Sequence, residues 1–215
     1  MIRKGKLKVQ LFLEGDTESY YFKGMKKGDQ VEIQYEEVTM DGGGYTNFMN
    51  QVRKKGDAGY IAKFIVIDYD RALKIPGEYE CFLKLKKYCD TKNKNGVIPY
   101  FLIIDNPDFE YFCCLHSPEY KNSGTEKFIC QTFHYKNLDA FKKEVNVYQL
   151  LNSNKNHKDH ALEHIRNKPK VLKNQYRFKK KGLDMSIKII KTEFDPLNQA
   201  QRGTNIEEFF DIILP

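Results

Sequence analysis

The sequence predicts an α/β fold in which a mostly parallel sheet is flanked by helices. Strand-sized apolar segments alternate with helical segments over the first half of the chain, which is the pattern of a parallel sheet. The chain has 215 residues, 40% of them hydrophobic and 13% aromatic, so it can bury the core of one domain. Its longest apolar runs, near 101–104, are far shorter than the roughly 20 residues of a membrane-spanning helix.

Four strands and four helices are predicted in alternation along this first half. The first strand alternates Leu7, Val9 and Leu11 with other residues, and the third is a continuous apolar run. The helices carry apolar residues at spacings of three and four, which predicts one buried face. Asn106 and Pro107 are predicted to open the last helix as its N-cap and first residue. The predicted strands are 7–13, 31–39, 62–68 and 97–104, and the predicted helices start at Asp16, run through 48–53, and span 78–90 and 107–116.

The second half of the chain is strongly basic. Residues 155–191 contain 12 basic and three acidic residues, a net charge of +9 against +7 for the whole chain. We predict that its Lys-rich part, residues 155–181, forms a basic helical C-terminal extension of the same domain. A capping box from Thr204 to Glu207 predicts a short final helix.

Cysteine and histidine patterns favour reduced cysteines in or near the core and a solvated histidine-bearing helix face. The five cysteines are odd in number and lack the spacing of a zinc site or a disulfide framework, so we expect them to be reduced. The N-terminal segment lacks the apolar core of a secretory signal, and the expected compartment is the cytoplasm. His157, His160 and His164 recur on one predicted helix, where a solvated basic face is favoured over the alternative of a zinc site.

Acidic residues follow the predicted strands at the points where the strands end. Glu14 follows the first strand, Asp68 and Asp70 end the third, and Asp105 and Glu110 follow the fourth. Because the carboxyl ends of parallel strands meet at one edge of a sheet, these side chains are expected to converge. Grouped carboxylates repel one another unless a cation lies between them, and Mg²⁺ prefers hard oxygen ligands. The alternative, ordinary turn and cap residues, fits Asp105 well and the acids that end apolar strands less well.

Three motifs occur in a fixed order along the chain. They are EGDTESYYF at 14–22, IDYD at 67–70 and NPDFEYFCCLH at 106–116. The Glu-Gly pair and the Asp-x-Asp pair resemble the TOPRIM pattern of topoisomerases, bacterial primases and OLD-type nucleases. The order of all three, with the closing GTNIEEF at 203–209, resembles the RloB-like family, which includes the AbiLii abortive-infection proteins.

The resemblance implies a TOPRIM-like nuclease that depends on Mg²⁺ or Mn²⁺ and acts in anti-phage defence beside an AAA/ABC-type ATPase. Glu14, Asp68 and Asp70 would hold the metal. Glu18 would be a further acid of the site, and Glu110 would orient or extend it. For Glu18, a first-turn acid that complements the helix dipole is an equally weighted alternative.

The basic extension supplies a predicted surface for a polyanion. Tyr176 and Phe178 are interleaved with its cations, which suits phosphate neutralisation together with base stacking. The predicted nucleic-acid-binding residues are Lys173, Arg177, Lys179, Lys180 and Lys181. A solvated helix face is the alternative, because charge runs usually have that role. The substrate, DNA or RNA including tRNA, stays open.

Residues 1–125 are therefore expected to form a TOPRIM-like catalytic core, and 126–215 the C-terminal part of the same domain. The expected reaction is phosphodiester hydrolysis, and no membrane partner is expected. The alternative is a non-catalytic nucleic-acid-binding or ATPase-docking subunit of a defence complex, with structural acids. A third interpretation is a regulatory partner that is toxic only after release from an ATPase.

Overall fold

The computed structural model of the chain describes residues 7–40, 42–122, 124–181 and 184–214, with side chains for all of these except 181 and 184. The strands are β1 Lys8–Leu13, β2 Gln34–Thr39, β3 Ala62–Asp68, β4 Tyr100–Asn106, β5 Leu172–Lys181, β6 Asp184–Phe194 and β7 Gly203–Thr204. The helices are α1 Asp16–Gly28, α2 Gly44–Lys54, α3 Asp70–Lys74, α4 Glu78–Asn95, α5 Phe109–Leu115, α6 Thr125–Phe133, α7 Leu138–Lys142, α8 Val147–Leu151, α9 Lys158–Arg166 and α10 Glu207–Ile213, with a 3-10 helix at Pro196–Ala200.

The predicted α/β architecture is confirmed, because five strands form a mostly parallel sheet with helices packed against it. The strand order is β2-β1-β3-β4-β7. All neighbouring strands are parallel except the two-residue β7, which is antiparallel to β4. The carboxyl ends of β1 to β4 therefore meet at one edge of the sheet, which we call the carboxyl edge.

Helices cover both faces of the sheet. Phe64 and Val66 of β3 pack into a core with α1, α5 and α10, whereas Ile65 and Ile67 pack into a core with α2 and α4. This alternation explains why the middle of β3, residues 64–67, is a continuous apolar run, since both of its faces are buried there. The five cysteines are unpaired, as predicted. Within the described part of the chain, no helix has both the length and the apolar character needed to cross a membrane.

The basic segment contains a β-hairpin, so the prediction of a helical extension over 155–181 is wrong for residues 172–181, which form β5. β5 and β6 pair with each other in antiparallel register. Leu172 and Asn174 are buried, whereas Lys173 and Arg177 are exposed, which is the period of an amphipathic strand. The high charge hid this period in the sequence. The upstream part of the segment does contain a helix, α9.

The helix that follows β4 begins two residues later than predicted. Asp108, and not Asn106, is its N-cap, and Asp108 Oδ1 accepts a 3.1 Å hydrogen bond from the backbone N–H of Tyr111. Asn106 instead completes β4, and the Asn106–Pro107 peptide bond is cis. The Asn106-Pro107 pair therefore predicted the start of this helix two residues too early.

The C-terminal segment attaches the hairpin to the sheet. Thr204 lies in β7 and α10 begins at Glu207, so the predicted capping box is wrong; Thr204 Oγ1 accepts a 3.0 Å hydrogen bond from the N–H of Ile206. Asn174 of β5 donates from its backbone N to Glu208 Oε1 at 2.8 Å and from Nδ2 to Glu208 Oε2 at 2.7 Å. These buried hydrogen bonds connect the hairpin to α10.

Candidate active site

The turn between β1 and α1 places two glutamates at the carboxyl edge. β1 ends at Leu13, and Gly15 is the extended N-cap from which α1 begins. Glu14 lies in this turn, and its Oε2 accepts a 3.0 Å hydrogen bond from the backbone N–H of Asp68. Glu18 is buried in the first turn of α1, where a Cβ on Gly15 would lie 3.4 Å from Glu18 Oε2. The Glu18 carboxyl group therefore packs over the glycine, beside the end of β1.

Two aspartates occupy paired positions at the ends of β3 and β4. Asp68 and Asp105 are register partners in these parallel strands. Asp68 Oδ1 accepts a 2.9 Å hydrogen bond from the backbone N–H of Phe109, and the hydroxyl of Tyr45 donates to the Asp68 carbonyl oxygen at 2.6 Å. Asp105 is fully buried, and neither of its carboxyl oxygens has a hydrogen-bond partner among the described residues. Asp105 is therefore more than the ordinary turn residue that the sequence favoured.

Glu110 joins the same group from the first turn of α5. Its side chain is 2% exposed. Thr17 Oγ1 donates a 2.9 Å hydrogen bond to Glu110 Oε1, which connects α1 to α5. Lys142 Nζ, at the end of α7, lies 3.3 Å from Glu110 Oε2. Among the ion pairs of the described residues, Lys142 is the cation that reaches this group of acids.

With the exception of Asp105, these acidic side chains open onto one cavity of about 400 Å³, which we call the acidic cavity. Four of the five predicted site acids line it, so the expected convergence is observed for those four. The lining residues are Glu14, Gly15, Asp16, Thr17, Glu18, Asp68, Glu110, Asp139, Lys142 and Lys143.

Asp70, the fifth predicted acid, does not line the acidic cavity. It is the first residue of α3, and its Oδ2 lies 2.8 Å from Nζ of Lys74, one turn along the same helix. Asp68 and Asp70 were expected to face the same way on an extended backbone. The chain turns into a helix directly after β3, and on this helix the Asp70 carboxylate pairs with Lys74 instead of lining the cavity.

Burial disfavours the ionised form of the carboxyl groups at and next to the acidic cavity, and their pKa values are raised. Burial, followed by the charge of Glu110, raises the pKa of Glu18 from 4.5 to about 8. Burial also raises the pKa of Asp105 to about 7 and that of Glu14 above its ordinary value. The pKa of Asp68 is raised well above its ordinary range by burial and then by the charges of Glu18 and Glu110. If all of these carboxyl groups were ionised, the group would carry more negative charge than its protein surroundings stabilise, so it retains protons in the absence of a cation.

The pKa of Lys142 also reflects the excess of acids around the cavity. Burial by itself lowers the pKa of this lysine, but the charges of Glu110 and Asp68 outweigh burial, and the pKa is raised. Lys142 is therefore a firmly charged ammonium group at the wall of the acidic cavity.

The residues of the acidic cavity suit a hard divalent cation. Within the described residues, no three His, Cys, Asp or Glu side chains are already arranged to hold a metal ion. The donor chemistry nonetheless fits, because the lining is rich in carboxylate oxygens. Asp105 Oδ1 and Oδ2 are buried without a hydrogen-bond partner among the described residues, and Glu110 Oε2 has the Lys142 ammonium at 3.3 Å as its neighbouring cation; buried oxygens of this kind are costly unless a donor or a charge satisfies them. The residues that would hold a cation at the cavity are Glu14, Glu18, Asp68 and Glu110.

The predicted nucleic-acid-binding residues lie on the hairpin but not all on one face. Lys173, Arg177 and Lys179 are exposed on the outward face of β5. Lys180 has the opposite orientation and forms an ion pair with Glu32. The side chain of Lys181 lies outside the described residues.

β6 enlarges the outward face of the hairpin. Lys188 is paired in register with Arg177, and Lys191 with Gln175, and both lysines are exposed. One acid, Glu193, sits among them and contacts Lys191 Nζ at 2.8 Å. We call the exposed cations of the two strands the basic face; they are Lys173, Arg177, Lys179, Lys188 and Lys191.

The hairpin runs away from the acidic cavity. Tyr176 packs on Phe101, at the amino end of β4, with ring centroids 5.2 Å apart. Further along β5, Lys180 reaches Glu32, which precedes β2. The distal cations of the basic face therefore lie toward the amino ends of the strands, whereas the acids lie at the carboxyl edge. The cations that line the acidic cavity come from a different element, α7.

Sequence reasoning missed Lys142 and Thr17 as residues that contact the acids of the site. Lys142 lies 32 residues after Glu110 on a five-residue helix, and no local pattern marks it. Thr17 lies inside the first motif, at 14–22, so the position of its hydroxyl next to Glu18 could have marked it in the sequence. Comparisons of the chain with protein-family models, with curated proteins and with solved structures returned no significant match.

Proposed function

We propose that the chain is a divalent-metal-dependent nuclease that hydrolyses phosphodiester bonds of nucleic acid. The observation that carries this proposal is the acidic cavity, where acids from the β1–α1 turn, β3 and α5 line one space at the carboxyl edge. Ligand sites of parallel α/β sheets lie at that edge. Bound Mg²⁺ or Mn²⁺ would neutralise phosphate charge and acidify an attacking water. The motif order shared with RloB-like proteins supports the same reaction.

The residues of the cavity divide into acids and groups that orient them. Glu14 and Asp68 are the proposed metal-binding acids, with Asp70 joining them on release from Lys74. Each of the first two is held by a backbone N–H, at 3.0 Å and 2.9 Å, so their positions are fixed before any ligand enters. Preorganised charge of this kind is what stabilises a transition state at low reorganisation cost.

Glu18 and Glu110 complete the proposed acidic group. Glu110 is fixed by the hydroxyl of Thr17 and by Lys142. Lys142 and Lys143 stand at the wall of the cavity, where an ammonium group can contact a phosphate oxygen. Hydrolysis breaks one P–O bond after water attacks phosphorus, and negative charge grows on the phosphate oxygens, so cations at the wall favour the reaction.

The basic face is the proposed contact for the nucleic-acid backbone. Its cations neutralise phosphates without reading sequence. From Phe101 to Asp105 along β4 is about 13 Å at 3.3 Å per residue, and β5 extends further from the acids. A substrate that contacts both regions therefore has to be a polymer of several nucleotides. DNA and RNA, including tRNA, both meet this requirement.

The biological setting follows from the motifs. The RloB-like resemblance supports a cytoplasmic role in anti-phage defence with an AAA/ABC-type ATPase partner. A sheet with Glu14 after β1 and Asp68 at the end of β3 supports assignment to the TOPRIM-like folds. The hairpin is then the basic C-terminal element of that domain.

A second function is favoured by a separate observation. Glu14 and Asp68 each accept a backbone hydrogen bond, which is also what structural acids do at strand ends. In that case the chain would be a non-catalytic nucleic-acid-binding or ATPase-docking subunit. The basic face would then be the surface that binds the partner. This version predicts salt-sensitive binding and no divalent-dependent cleavage.

The test is incubation with single-stranded DNA, double-stranded DNA and tRNA in Mg²⁺, Mn²⁺ or EDTA, with and without an ATPase encoded alongside. We expect cleavage that EDTA and Asp68→Asn abolish, with binding retained. Asp90→Asn is the matched control, because Asp90 is a surface acid of α4 that pairs with Lys86 and lies outside the cavity. Binding without cleavage of any of the three substrates would favour the second function.

A further inference from the structure

We propose that Lys142 is the built-in counter-ion of the acidic cavity, and that a divalent cation has to displace its ammonium group from Glu110 to enter. This inference rests on the proposed function, because it concerns how the metal site is filled. It assigns a positioning and gating role to a residue that no motif in the sequence marks.

The contact itself joins a buried acid to a half-exposed cation. The side chain of Glu110 is 2% exposed and that of Lys142 is 42% exposed, with 3.3 Å between Oε2 and Nζ. A buried carboxylate without a cation is unstable, so Glu110 needs this partner or another one. The lysine, by contrast, can return to water at little cost.

The two oxygens of Glu110 have different partners. Oε1 is occupied by the hydroxyl of Thr17 at 2.9 Å. Oε2 is buried and has no hydrogen bond of good geometry, although the Lys142 ammonium lies close to it. Oε2 is therefore held by the Lys142 ammonium, and it is the oxygen that a second cation would take.

The charge of the cavity lining explains why the two cations compete. Six acids and two lysines line the space, and both lysines come from the end of α7. Lys142 forms the ion pair with Glu110, whereas Lys143 is exposed and forms no ion pair within the described residues. A divalent ion next to Glu110 Oε2 would repel the Lys142 ammonium and has twice its charge, so the ion displaces the lysine. The freed ammonium stays at the cavity wall, where a substrate phosphate would lie.

Mn²⁺ titration of the whole chain by calorimetry tests this competition. Lys142→Met removes the competing charge and should bind Mn²⁺ more tightly, by roughly two- to fivefold, the scale of a half-exposed ion pair. Lys143→Met is the matched control: it makes the same change one residue away, and it should bind like the wild type. Lys142→Arg keeps the charge and should also bind like the wild type. At saturating Mn²⁺, Lys142→Met should nevertheless cleave nucleic acid more slowly.

The outcomes separate this inference from the proposed function. If the wild type binds Mn²⁺ and Lys142→Met binds it with equal affinity, the counter-ion role is wrong and the metal site stands. If neither protein binds Mn²⁺, the proposed function is wrong and the inference falls with it. Lys142→Gln gives the same comparison if the methionine variant does not fold.

Discussion

Asp68 and Asp105 are register partners at the ends of two neighbouring parallel strands, so their carboxyl groups lie side by side on one face of the sheet. Asp68 has a backbone N–H donor for one oxygen, and Asp105 has no hydrogen-bond partner among the described residues. Glu18 and Glu110 approach from the helices that cover this face. The result is a group of acids whose ionised forms are unfavourable unless a cation or protons compensate them.

The first prediction concerns stability and pH in the absence of divalent ions. The pKa of Glu18 is about 8 in the folded chain against 4.5 ordinarily, so the folded state binds more protons between these values. The free energy of unfolding should therefore fall as pH rises from 4.5 to 8, by up to about 1.4 kcal/mol per pH unit for this group. Urea denaturation in EDTA measures the slope.

Glu18→Gln isolates this contribution because glutamine does not titrate. The variant should show a shallower fall with pH, while Glu163→Gln, at an exposed position of α9, should follow the wild type. Equal slopes for Glu18→Gln and the wild type would mean that Glu18 is not held in the unfavourable environment described above.

The second prediction concerns the two orientations along β5. Lys179 belongs to the basic face, whereas the next residue, Lys180, is paired with Glu32. Lys179→Gln should weaken nucleic-acid binding and reduce the dependence of log K on log salt by about 0.9, the value for one phosphate contact on duplex DNA. Lys180→Gln, with the same charge change, should have the smaller effect. Equal effects in a salt-series binding assay would argue for general charge attraction without a defined face.

The third prediction concerns Asp70. Its exposed pair with Lys74 contributes about 0.3–0.5 kcal/mol, as is usual for i,i+4 pairs. Asp70→Asn should therefore leave the melting temperature nearly unchanged. If Asp70 turns to the metal during the reaction, the same variant should lose most of the divalent-dependent cleavage. Full cleavage by Asp70→Asn would remove this residue from the site and leave Glu14 and Asp68 in it.

The fourth prediction concerns the attachment of the hairpin. Asn174 is 3% exposed and bonds to Glu208, to the carbonyl oxygen of Leu102 and to the hydroxyl of Thr192. Asn174→Ala removes the Nδ2 donor from Glu208 Oε2 and the acceptor of the Thr192 hydroxyl, whereas the Leu102 carbonyl keeps a 3.0 Å hydrogen bond from Asn205; each buried polar group left without a partner costs about 1–3 kcal/mol. We expect a loss of about 2–4 kcal/mol in the free energy of unfolding, measured with urea. A change below 0.5 kcal/mol would show that the hairpin is held by its apolar contacts.

The parallel sheet could be predicted because its strands are long apolar runs separated by helical segments. The convergence of Glu14, Asp68 and Glu110 followed from the same topology, since parallel strands end at one edge. The direction of Asp70 could not be predicted, because it depends on the residue at which β3 gives way to a helix. A shift of one residue in the start of α3 would decide whether Asp68 and Asp70 face the same cavity.

The hairpin was missed because charge masked its period. Lysine and arginine occupy the outward positions of β5 and also position 180, whose side chain has the opposite orientation but is exposed near the end of the strand, so the alternation of the two faces was hard to see. Lys142 could not be found for another reason. Its contact with Glu110 is a tertiary contact between two short helices, α5 and α7, and sequence spacing carries no record of it.

The central claim is that these acids are gathered to hold a divalent cation, and Mn²⁺ titration of the wild type against Asp68→Asn tests it most directly. Asparagine keeps an oxygen for the Phe109 N–H, so the fold should persist while a charged ligand is lost. The account predicts a saturable Mn²⁺ site in the wild type that is weakened at least tenfold in Asp68→Asn and unchanged in Asp90→Asn. Absence of saturable binding in the wild type, or equal binding by the wild type and Asp68→Asn, would contradict it.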